Sequence, residues 1–339
     1  MYNQEAAFAI QVELALGCNL GCSFCGINGI GYEYRKKGFK FMSLENAEII
    51  AKKINESGFN SRVDFARRGE PTLNPELFEI IKTFSNVLPN QLMITTNGGG
   101  LLRGGKPIKN ILKLFKNGLN ILAIDDYQDY KIGQKLRAEI KKNQGALKER
   151  GICLYEYPEN KKGNPHRRVK KNEKFISLVY DISKATTGTH SKLNNHAGYA
   201  SKVEKYNKPC AKPFRELSID YNGKISKCCI TWGGEYIMGD LLSTQTLQEI
   251  WNNEKFYAVR QKLIRGERDF GLCNGCNHPS YRVGLLPDKK GKDKSAYPLP
   301  NQKTDLVLKG LEKEGFQEQP NSFYYNNRKA SQGEIFGGN

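Results

Sequence analysis

The sequence lacks the features that would place the chain in a membrane or direct it out of the cell. No run of about 18 apolar residues is present. The first 16 residues, MYNQEAAFAIQVELAL, have no basic segment followed by a long apolar stretch and a small-residue cleavage site. These absences predict a soluble, cytoplasmic protein. In a reducing cytoplasm, clustered cysteines more often bind metal or carry out redox chemistry than form structural disulfides.

Internal repeats are absent too, as are zinc-finger, homeodomain and RNA-recognition signatures. What is abundant is positive charge: 53 Lys and Arg stand against 35 Asp and Glu, for a formal net charge of +18. Such a charge would suit nucleic acid, an acidic peptide or a phosphorylated small molecule. A solvated, Lys-rich surface explains it equally well.

Short apolar runs alternate with amphipathic segments through the first half of the chain. Strands are predicted at 9–16, 61–66, 91–96, 119–125 and 151–157, and helices at 43–58, 75–84, 107–117 and 131–149. This alternation predicts parallel β/α units that form a barrel or an open doubly wound sheet. A polar, basic connector at 158–171 follows, and a further helical stretch is predicted around 172–185.

The pattern changes in the last third of the chain. Two short alternating runs around Asn222–Gly223 predict a β-hairpin, and a helix is predicted at 245–265. From about residue 284 the sequence is polar and punctuated by Pro and Gly, which predicts an extended tail with a short helix near 304–314. The predicted divisions are residues 1–205, a smaller domain at 206–283 and a tail at 284–339.

The first group of cysteines, Cys18, Cys22 and Cys25, follows the first predicted strand. A compact loop can turn three thiols at this spacing toward one iron–sulfur centre. Three ligands are one short of a closed four-thiolate site, and a metal with an open position is typical of reactive rather than structural sites. A zinc site that borrows a distant fourth ligand is the alternative.

The segment CNLGCSFC, residues 18–25, resembles the CxxxCxxC motif of the radical S-adenosylmethionine (radical SAM) superfamily, including the aromatic Phe24 before the last cysteine. This resemblance implies a [4Fe-4S] cluster held by the three cysteines, with S-adenosylmethionine as the ligand of the fourth iron. It also implies reductive cleavage of S-adenosylmethionine to a 5′-deoxyadenosyl radical that abstracts a substrate hydrogen. An electron donor such as flavodoxin or ferredoxin is then expected.

Three further segments resemble motifs of the same superfamily, in the expected order. FARRGEPTLNPE (65–76) resembles the GGEP motif with Arg68 in place of a glycine, ITTNG (94–98) ends the third predicted strand, and Asp125 ends the fourth. Arg68 could hinder the backbone approach that glycine permits, or direct its charge at a carboxylate. The resemblance implies cosubstrate contacts from Phe24, Gly69, Glu70, Pro71, Thr96, Asn97 and Asp125.

A second group of cysteines lies in the last third of the chain. Cys210, Cys228, Cys273 and Cys276 are separated by 18, 45 and 3 positions and form a complete set of four thiolates. Such a set could hold an iron–sulfur cluster or zinc. Adjacent strand residues point to opposite faces, so only one of Cys228 and Cys229 is expected to be a ligand.

The surrounding segments PCAKPFRELSIDYNGKISKCCITW, MGDLLSTQTLQEIWN and LCNGC resemble the SPASM/twitch extension of radical SAM enzymes. Because it has few cysteines, this region resembles the shortened twitch form, which has one auxiliary [4Fe-4S] cluster. On this resemblance Cys228 is the predicted ligand. Cys153 is predicted to be a buried strand cysteine. The expected fold is α/β: a partial (β/α)6 radical SAM barrel followed by a small α+β twitch/SPASM-like domain with a β-hairpin and a helix.

These motifs are specific for the type of chemistry but give almost no information about the substrate. Oxidation or modification of a small molecule (sugar, cyclitol or nucleotide) or of a peptide is predicted, since an auxiliary cluster could accept an electron. Modification of a nucleic-acid base and a non-catalytic module that binds zinc and nucleic acid are the alternatives. The candidate substrate contacts are Tyr155, Tyr157, His166, Arg167, Arg168, Asn194, Asn195 and His196.

Overall fold

The computed structural model describes residues 9–22, 24–27, 39–59, 61–88, 91–125, 131–167, 169–170, 172–180, 195–200, 207, 209–210 and 212–278. The predicted tail at 284–339 with its short helix, and the candidate contacts Arg168 and Asn194, lie outside the described residues. None of the described helices is long and apolar enough to cross a membrane.

The described strands and α-helices follow the chain in this order: β1 (Ala9–Val12), β2 (Ala15–Leu16), β3 (Lys40–Phe41), α1 (Leu44–Glu56), β4 (Arg62–Phe65), α2 (Leu77–Val87), β5 (Leu92–Thr96), α3 (Pro107–Lys116), β6 (Ile121–Asp125), α4 (Lys131–Lys142), α5 (Gln144–Glu149), β7 (Ile152–Tyr157), β8 (Lys174–Val179), α6 (Lys212–Arg215), β9 (Glu216–Ile219), β10 (Lys224–Ser226), β11 (Ile237–Asp240), α7 (Leu247–Trp251) and α8 (Glu254–Leu263).

One nine-stranded sheet organises these elements in the order β11-β10-β9-β1-β4-β5-β6-β8-β7. Each pair of neighbouring strands in the part of the sheet from β9 across to β7 is parallel. Strand β10 pairs in antiparallel fashion with β9 on one side and with β11 on the other. The six parallel strands β1, β4, β5, β6, β8 and β7 confirm the predicted α/β fold with a partial barrel. Strand β9 of the predicted hairpin pairs with β1, from Ala9↔Glu216 to Val12↔Ile219. The hairpin therefore continues the sheet of the barrel.

The two faces of this sheet differ in polarity because side chains alternate along each strand. One face packs against the helices and builds the main hydrophobic core, with Ile10, Val63, Ile94, Leu122, Ile176 and Leu217. The alternate positions carry the polar residues Gln11, Asp64, Thr95, Ser177 and Ser218 together with a small apolar cluster of Met93, Ile121 and Phe175. Parallel sheets covered on both faces are usually apolar throughout, so the partly polar inner face indicates a barrel interior suited to binding polar groups.

The helix predicted around 172–185 is wrong, because strand β8 occupies Lys174–Val179. Its run FISLV is buried at every position, and a buried apolar run this short is typical of a strand between two others. Cys153, predicted to be buried, is exposed. It lies on β7, which is the edge strand of the sheet and therefore has a neighbour on one side only.

Two predicted helices are each divided in two. Between α4 and α5, the Asn143 side chain donates to the Glu139 carbonyl at 2.8 Å and competes with the helical backbone. Between α7 and α8, Asn253 caps the second helix by accepting from the Phe256 amide. In both cases an asparagine side chain bonds to nearby backbone. It thereby interrupts the segment for which the apolar periodicity favoured one long helix.

Candidate active site and second cysteine site

The three N-terminal cysteines line one cavity at the C-terminal ends of the parallel strands. Cys18, Cys22 and Cys25 follow β2, and the cavity, of about 150 Å³, is partly open to solvent. The ends of β4, β5 and β6 supply Ala66, Arg67, Arg68, Gly69, Glu70, Thr95, Thr96, Asn97 and Asp125. Functional residues gather at this face in parallel barrels. The motifs that are dispersed in the sequence therefore meet here, in what we call the first cysteine site.

Five of the seven predicted cosubstrate contacts line this cavity: Gly69, Glu70, Thr96, Asn97 and Asp125. The described lining does not include Phe24 or Pro71. Pro71 is buried and opens a short 3-10 helix, Pro71–Leu73, that Glu70 caps by accepting from the Thr72 amide. Sequence reasoning did not single out Arg67, which lies in the lining beside the GEP motif.

Glu70 is held by four hydrogen bonds. Its carboxylate accepts from the Thr72 amide at 3.0 Å, the Thr72 hydroxyl at 2.5 Å, the Asn97 amide at 2.8 Å and the Thr96 hydroxyl. Burial raises the pKa of this carboxyl above its ordinary value, although the hydrogen bonds act in the opposite direction. The result is a fixed connection between the ends of β4 and β5 that positions Asn97.

Asn97 joins those strand ends to the cysteine loop. Its amide nitrogen donates to the Cys18 sulfur at 3.4 Å and to the Asn19 side-chain oxygen at 3.1 Å. The Leu20 amide donates to the same sulfur at 3.4 Å. Burial raises the pKa of Cys18 to about 12 and that of Cys25 to about 11, so metal binding at this loop releases protons from the thiols.

Gly69 is required by backbone packing. A Cβ at this position would lie 2.2 Å from the Ala15 carbonyl oxygen and 2.5 Å from that of Gly17. The Glu70 amide donates to the Gly17 carbonyl at 3.0 Å, so the motif loop lies directly against the segment that leads into the cysteine loop. The motif resemblance did not reveal this contact between two loops about 50 positions apart.

Arg68 directs its charge at carboxylates, one of the two alternatives that the sequence left open. Its guanidinium donates to Glu13 at 2.7 and 2.8 Å and to Asp220 at 2.9 Å, while Arg67 also donates to Asp220 and, at 3.0 Å, to the Thr231 hydroxyl. We call Glu13, Arg67, Arg68 and Asp220 the buried ion group, since none of these side chains is more than 5% exposed. Burial alone would raise the pKa of Glu13, but the charge and hydrogen bonds of Arg68 lower it. The group ties the GEP loop to the hairpin.

The second cysteine site is a separate, narrow cavity, also partly open to solvent and lined by Cys210, Cys228, Cys273 and Cys276. Cys229 is not part of this lining, and its sulfur lies 4.0 Å from a Glu216 carboxylate oxygen. Cys228 lines the cavity and stays the predicted ligand. Four cysteines around one cavity fit a closed, four-thiolate cluster.

Cationic side chains lie beside the second cysteine site. Lys227 donates to the Cys273 sulfur at 2.9 Å, and Arg268 donates to the Cys276 carbonyl at 2.9 Å. Burial raises the pKa of Cys210 to about 12 and that of Cys276 to about 11, so positive charge is needed here to favour the thiolates that iron binds.

The cysteines of both sites are spread around the walls of their cavities. Within the described ranges, no three Cys, His, Asp or Glu side chains are gathered closely enough to hold one metal ion. A tetrahedral zinc site would need four donors about 2.0–2.3 Å from a common centre. The cysteines instead surround cavities, as a polynuclear cluster requires.

One apolar group connects the two sites. It contains Ala197, Tyr199, Ile230, Trp232, Leu272 and Cys276, with Cys25, Ile27, Cys228 and Cys229 packed against it. Trp232 lies so close to the first cysteine loop that a Cβ on Gly26 would be 2.2 Å from its indole ring. The indole donates to His196 Nδ1 at 3.1 Å, which places the ring proton of neutral His196 on Nε2. Burial lowers the pKa of His196 to about 4.

Most of the described candidate substrate contacts have structural partners. Arg167 pairs with Glu173, the Tyr155 ring packs against Phe175 with a centroid distance of 5.7 Å, and Asn195 donates to the Gly275 carbonyl at 2.7 Å. These contacts hold the segments that close the barrel.

His166 belongs to a charged region on the inner face of the barrel. Its Nδ1 lies 3.4 Å from the guanidinium of Arg62, which pairs with Asp64 at 2.9 Å. Burial lowers the pKa of His166, and the Arg62 charge lowers it further. Lys212 and Glu216 also act on this histidine electrostatically and pair with each other at 2.7 Å. The sequence gave no sign that strands β4 and β9 would bring these groups together.

Comparisons with known proteins agree with this geometry. A model of the radical SAM superfamily matches residues 12–150, and a SPASM model, described as an iron–sulfur cluster-binding domain, matches residues 210–277. An S-adenosyl-L-methionine-dependent 2-deoxy-scyllo-inosamine dehydrogenase from Niallia circulans is 23% identical over 276 residues, which cover 81% of this chain and 94% of that protein.

Two solved structures extend the comparison. BtrN in complex with AdoMet and 2-DOIA has a TM-score of 0.62 at 21% identity, with 83% of this chain and 97% of that chain covered. SuiB of Streptococcus suis, bound to its precursor peptide SuiA, has a TM-score of 0.41 at 14% identity over 88% and 76%. The likeness to BtrN shows the fold, and the likeness to SuiB is too low to carry an argument. The chain thus belongs to the radical SAM superfamily, as an enzyme that uses a [4Fe-4S] cluster with S-adenosylmethionine and has a C-terminal SPASM domain for auxiliary iron–sulfur binding.

Proposed function

We propose that this enzyme oxidises a small polar molecule, such as a sugar, cyclitol or nucleotide, by two electrons. The observation that carries the proposal is the pairing of the two cavities: one has three cysteines and polar strand ends, the other four cysteines, and a single apolar group joins them. The bound cluster and S-adenosylmethionine supply the species that removes one hydrogen atom from a substrate C–H bond. The substrate then loses one proton and one electron, which converts an alcohol carbon into a carbonyl.

In this proposal the first cysteine site binds the cosubstrate. Cys18, Cys22 and Cys25 would hold the cluster by three thiolates, one fewer than a closed four-thiolate site has. Glu70 is committed to Thr72, Thr96 and Asn97, so we assign it to positioning the strand ends rather than to direct contact. Asn97 and Asp125 line the cavity with groups that can bond to the amino, carboxylate and hydroxyl groups of S-adenosylmethionine.

The second cysteine site would hold the cluster that supplies an acceptor for this electron. Cys210, Cys228, Cys273 and Cys276 complete the coordination of a cluster, so no position remains for the substrate itself. The apolar group around Trp232 packs against Cys25 of the first site and Cys228 of the second. A closed cluster in this position suits electron uptake.

The inner face of the barrel favours a small polar substrate. The pairs Arg62–Asp64 and Lys212–Glu216, with His166, provide donors and acceptors for hydroxyl and amino groups. The connector covers part of this face, since the Ser177 hydroxyl donates to the Gly163 carbonyl at 2.6 Å. This cover leaves less room for a long peptide or a nucleic-acid base on a strand. The name of the Niallia circulans relative, a dehydrogenase of 2-deoxy-scyllo-inosamine, also supports a small polyol-like substrate.

The test is anaerobic reconstitution with S-adenosylmethionine and a reductant, either chemical or flavodoxin or ferredoxin, followed by measurement of 5′-deoxyadenosine. Wild-type enzyme should form this product, Cys22→Ala should not, and Cys153→Ala, which changes an exposed cysteine on β7, should match wild type. Polyols deuterated at their carbinol carbons identify the substrate, since label appears in 5′-deoxyadenosine only when that carbon is attacked. Reconstituted wild type that cleaves no S-adenosylmethionine would contradict the proposal.

A further inference from the structure

A buried lysine lies against the second cysteine site and has no part in the chemistry described above. Lys227 follows β10 directly, precedes Cys228 and is only 2% exposed. Its ammonium donates to the Cys273 sulfur at 2.9 Å. Lysine is rarely buried to this extent unless its charge is compensated.

The other partners of this ammonium are aromatic faces. Its Nζ lies 4.3 Å from the ring centroid of Tyr236 and 5.5 Å from that of Phe270, and both residues are buried. The Lys227 amide donates to the Tyr236 carbonyl at 3.0 Å, which fixes the backbone on this side. Sulfur and two ring faces are the partners that the described residues provide, so the counter-charge of Lys227 is the thiolate set of the cluster.

The first cysteine site has different neighbours. Its Cys18 sulfur receives hydrogen bonds from the neutral amides of Asn97 and Leu20, and the carboxyl of Glu70 lies in the same cavity. The nearby Arg68 is turned toward Glu13 and Asp220. The two arginines that line the first cavity are thus paired with carboxylates, whereas Lys227 donates to a cysteine sulfur.

We propose that Lys227 raises the reduction potential of the auxiliary cluster, which enables that cluster to take up the electron released during substrate oxidation. Reduction adds one negative charge to the cluster, and a fixed positive charge at hydrogen-bond distance in a water-poor environment stabilises the reduced state. Lys227 is a positioning residue for electron transfer and does not contact the substrate. The direction of electron flow rests on the proposed function, but the effect on the potential does not.

The experiment is an EPR-monitored redox titration of the full-length protein in which Cys18, Cys22 and Cys25 are changed to Ala, so that the auxiliary cluster alone contributes the signal. In this background Lys227→Met removes the charge and the hydrogen bond, Lys227→Gln keeps a donor without the charge, and Lys227→Arg keeps the charge. Lys224→Met, on β10 three positions before Lys227 and outside the lining of the cavity, is the control.

Both charge-free variants should be at least tenfold harder to reduce at a given potential, which corresponds to a midpoint about 59 mV lower for a one-electron couple. Lys227→Arg and Lys224→Met should remain close to the parent. An unchanged midpoint in Lys227→Gln overturns the proposal. Loss of the cluster in both Met and Gln variants assigns Lys227 to cluster assembly and overturns it too. No substrate or S-adenosylmethionine is present, so this result is independent of the test of the proposed function.

Discussion

The two cysteine sites use the same ligand but differ in how many they have and in what lies beside them. The first site has three cysteines together with hydroxyl, amide and carboxyl groups from the strand ends, and with Arg67 and Arg68, whose charges are paired with buried carboxylates. The second has four cysteines with lysine and arginine beside them. The comparison teaches that the missing ligand and the neighbouring charges, rather than the thiolates, separate a site for reactive chemistry from a site for electron storage.

The largest effect is expected when one of the two adjacent cysteines near the second site is replaced, since only one of them is a predicted ligand. Cys228→Ala should lower the iron content to about half, since a four-iron cluster loses one of its four thiolates. Cys229→Ala should leave the iron content unchanged, because its sulfur is near Glu216 and outside the cavity. Iron and sulfide analysis of anaerobically reconstituted protein provides the measurement. Equal losses in both variants would show that the cavity does not identify the ligands.

The next effect concerns the buried ion group that connects the first site to the hairpin. Arg68→Met should lower the free energy of unfolding by about 3–5 kcal/mol, because Glu13 and Asp220 remain buried without this partner. Anaerobic denaturant titration gives the change. As a control, Lys113→Met breaks a half-exposed pair with Glu79 and should cost at most about 1 kcal/mol. Similar losses in both variants would argue against a special role for the buried group.

A smaller effect sharpens the description of the first site. Glu70→Gln replaces an acceptor of four hydrogen bonds by a group that presents an NH₂ to donors, which should destabilise the strand ends by about 1–3 kcal/mol. Because Asn97 loses its support, the affinity for S-adenosylmethionine should fall by about tenfold, as measured by equilibrium binding. Glu79→Gln, an exposed control on α2, should bind normally. Normal binding by Glu70→Gln would remove Glu70 from the positioning of the site.

The smallest effect concerns His196, in the apolar group between the two sites, and is measured as the dependence of protein stability on pH. His196 has a folded-state pKa of about 4, below its ordinary value of 6.5, so the unfolded chain binds more protons and stability falls as the pH is lowered through this window. From pH 7 to pH 5 this residue should account for a loss of about 2 kcal/mol. His196→Asn retains an acceptor for the Trp232 indole and tolerates the positive φ of this position. Unfolding measured at both pH values should show a smaller loss in the variant, and identical losses would contradict the assignment.

The features that could be predicted from the sequence are those whose chemistry requires a particular residue type. Cys18, Cys22, Cys25, Glu70 and Asn97 occur in short motifs after predicted strands, and the parallel sheet places them at one edge. The hairpin was readable because Gly223 adopts the positive φ that its turn requires. Local spacing was enough in these cases.

The remaining features depend on contacts that are distant in sequence. Strand β8 was missed because a buried run of five residues shows no periodicity that separates it from a helix. The buried ion group requires β9 to lie beside β1, which brings Asp220 to Arg68. Lys227 is one lysine among many in the sequence, and only the placement of Cys273 beside it, 46 positions later, shows that it is buried against a ligand.

The central claim is that the first cluster keeps one iron for S-adenosylmethionine and that the second does not. The most direct measurement is the EPR spectrum of each reduced cluster with and without S-adenosylmethionine. Full-length Cys210→Ala/Cys273→Ala protein isolates the first cluster, and Cys18→Ala/Cys22→Ala/Cys25→Ala protein isolates the second. The account predicts that added S-adenosylmethionine changes the spectrum of the first cluster and leaves that of the second unchanged. A first-cluster spectrum that is indifferent to S-adenosylmethionine would contradict it.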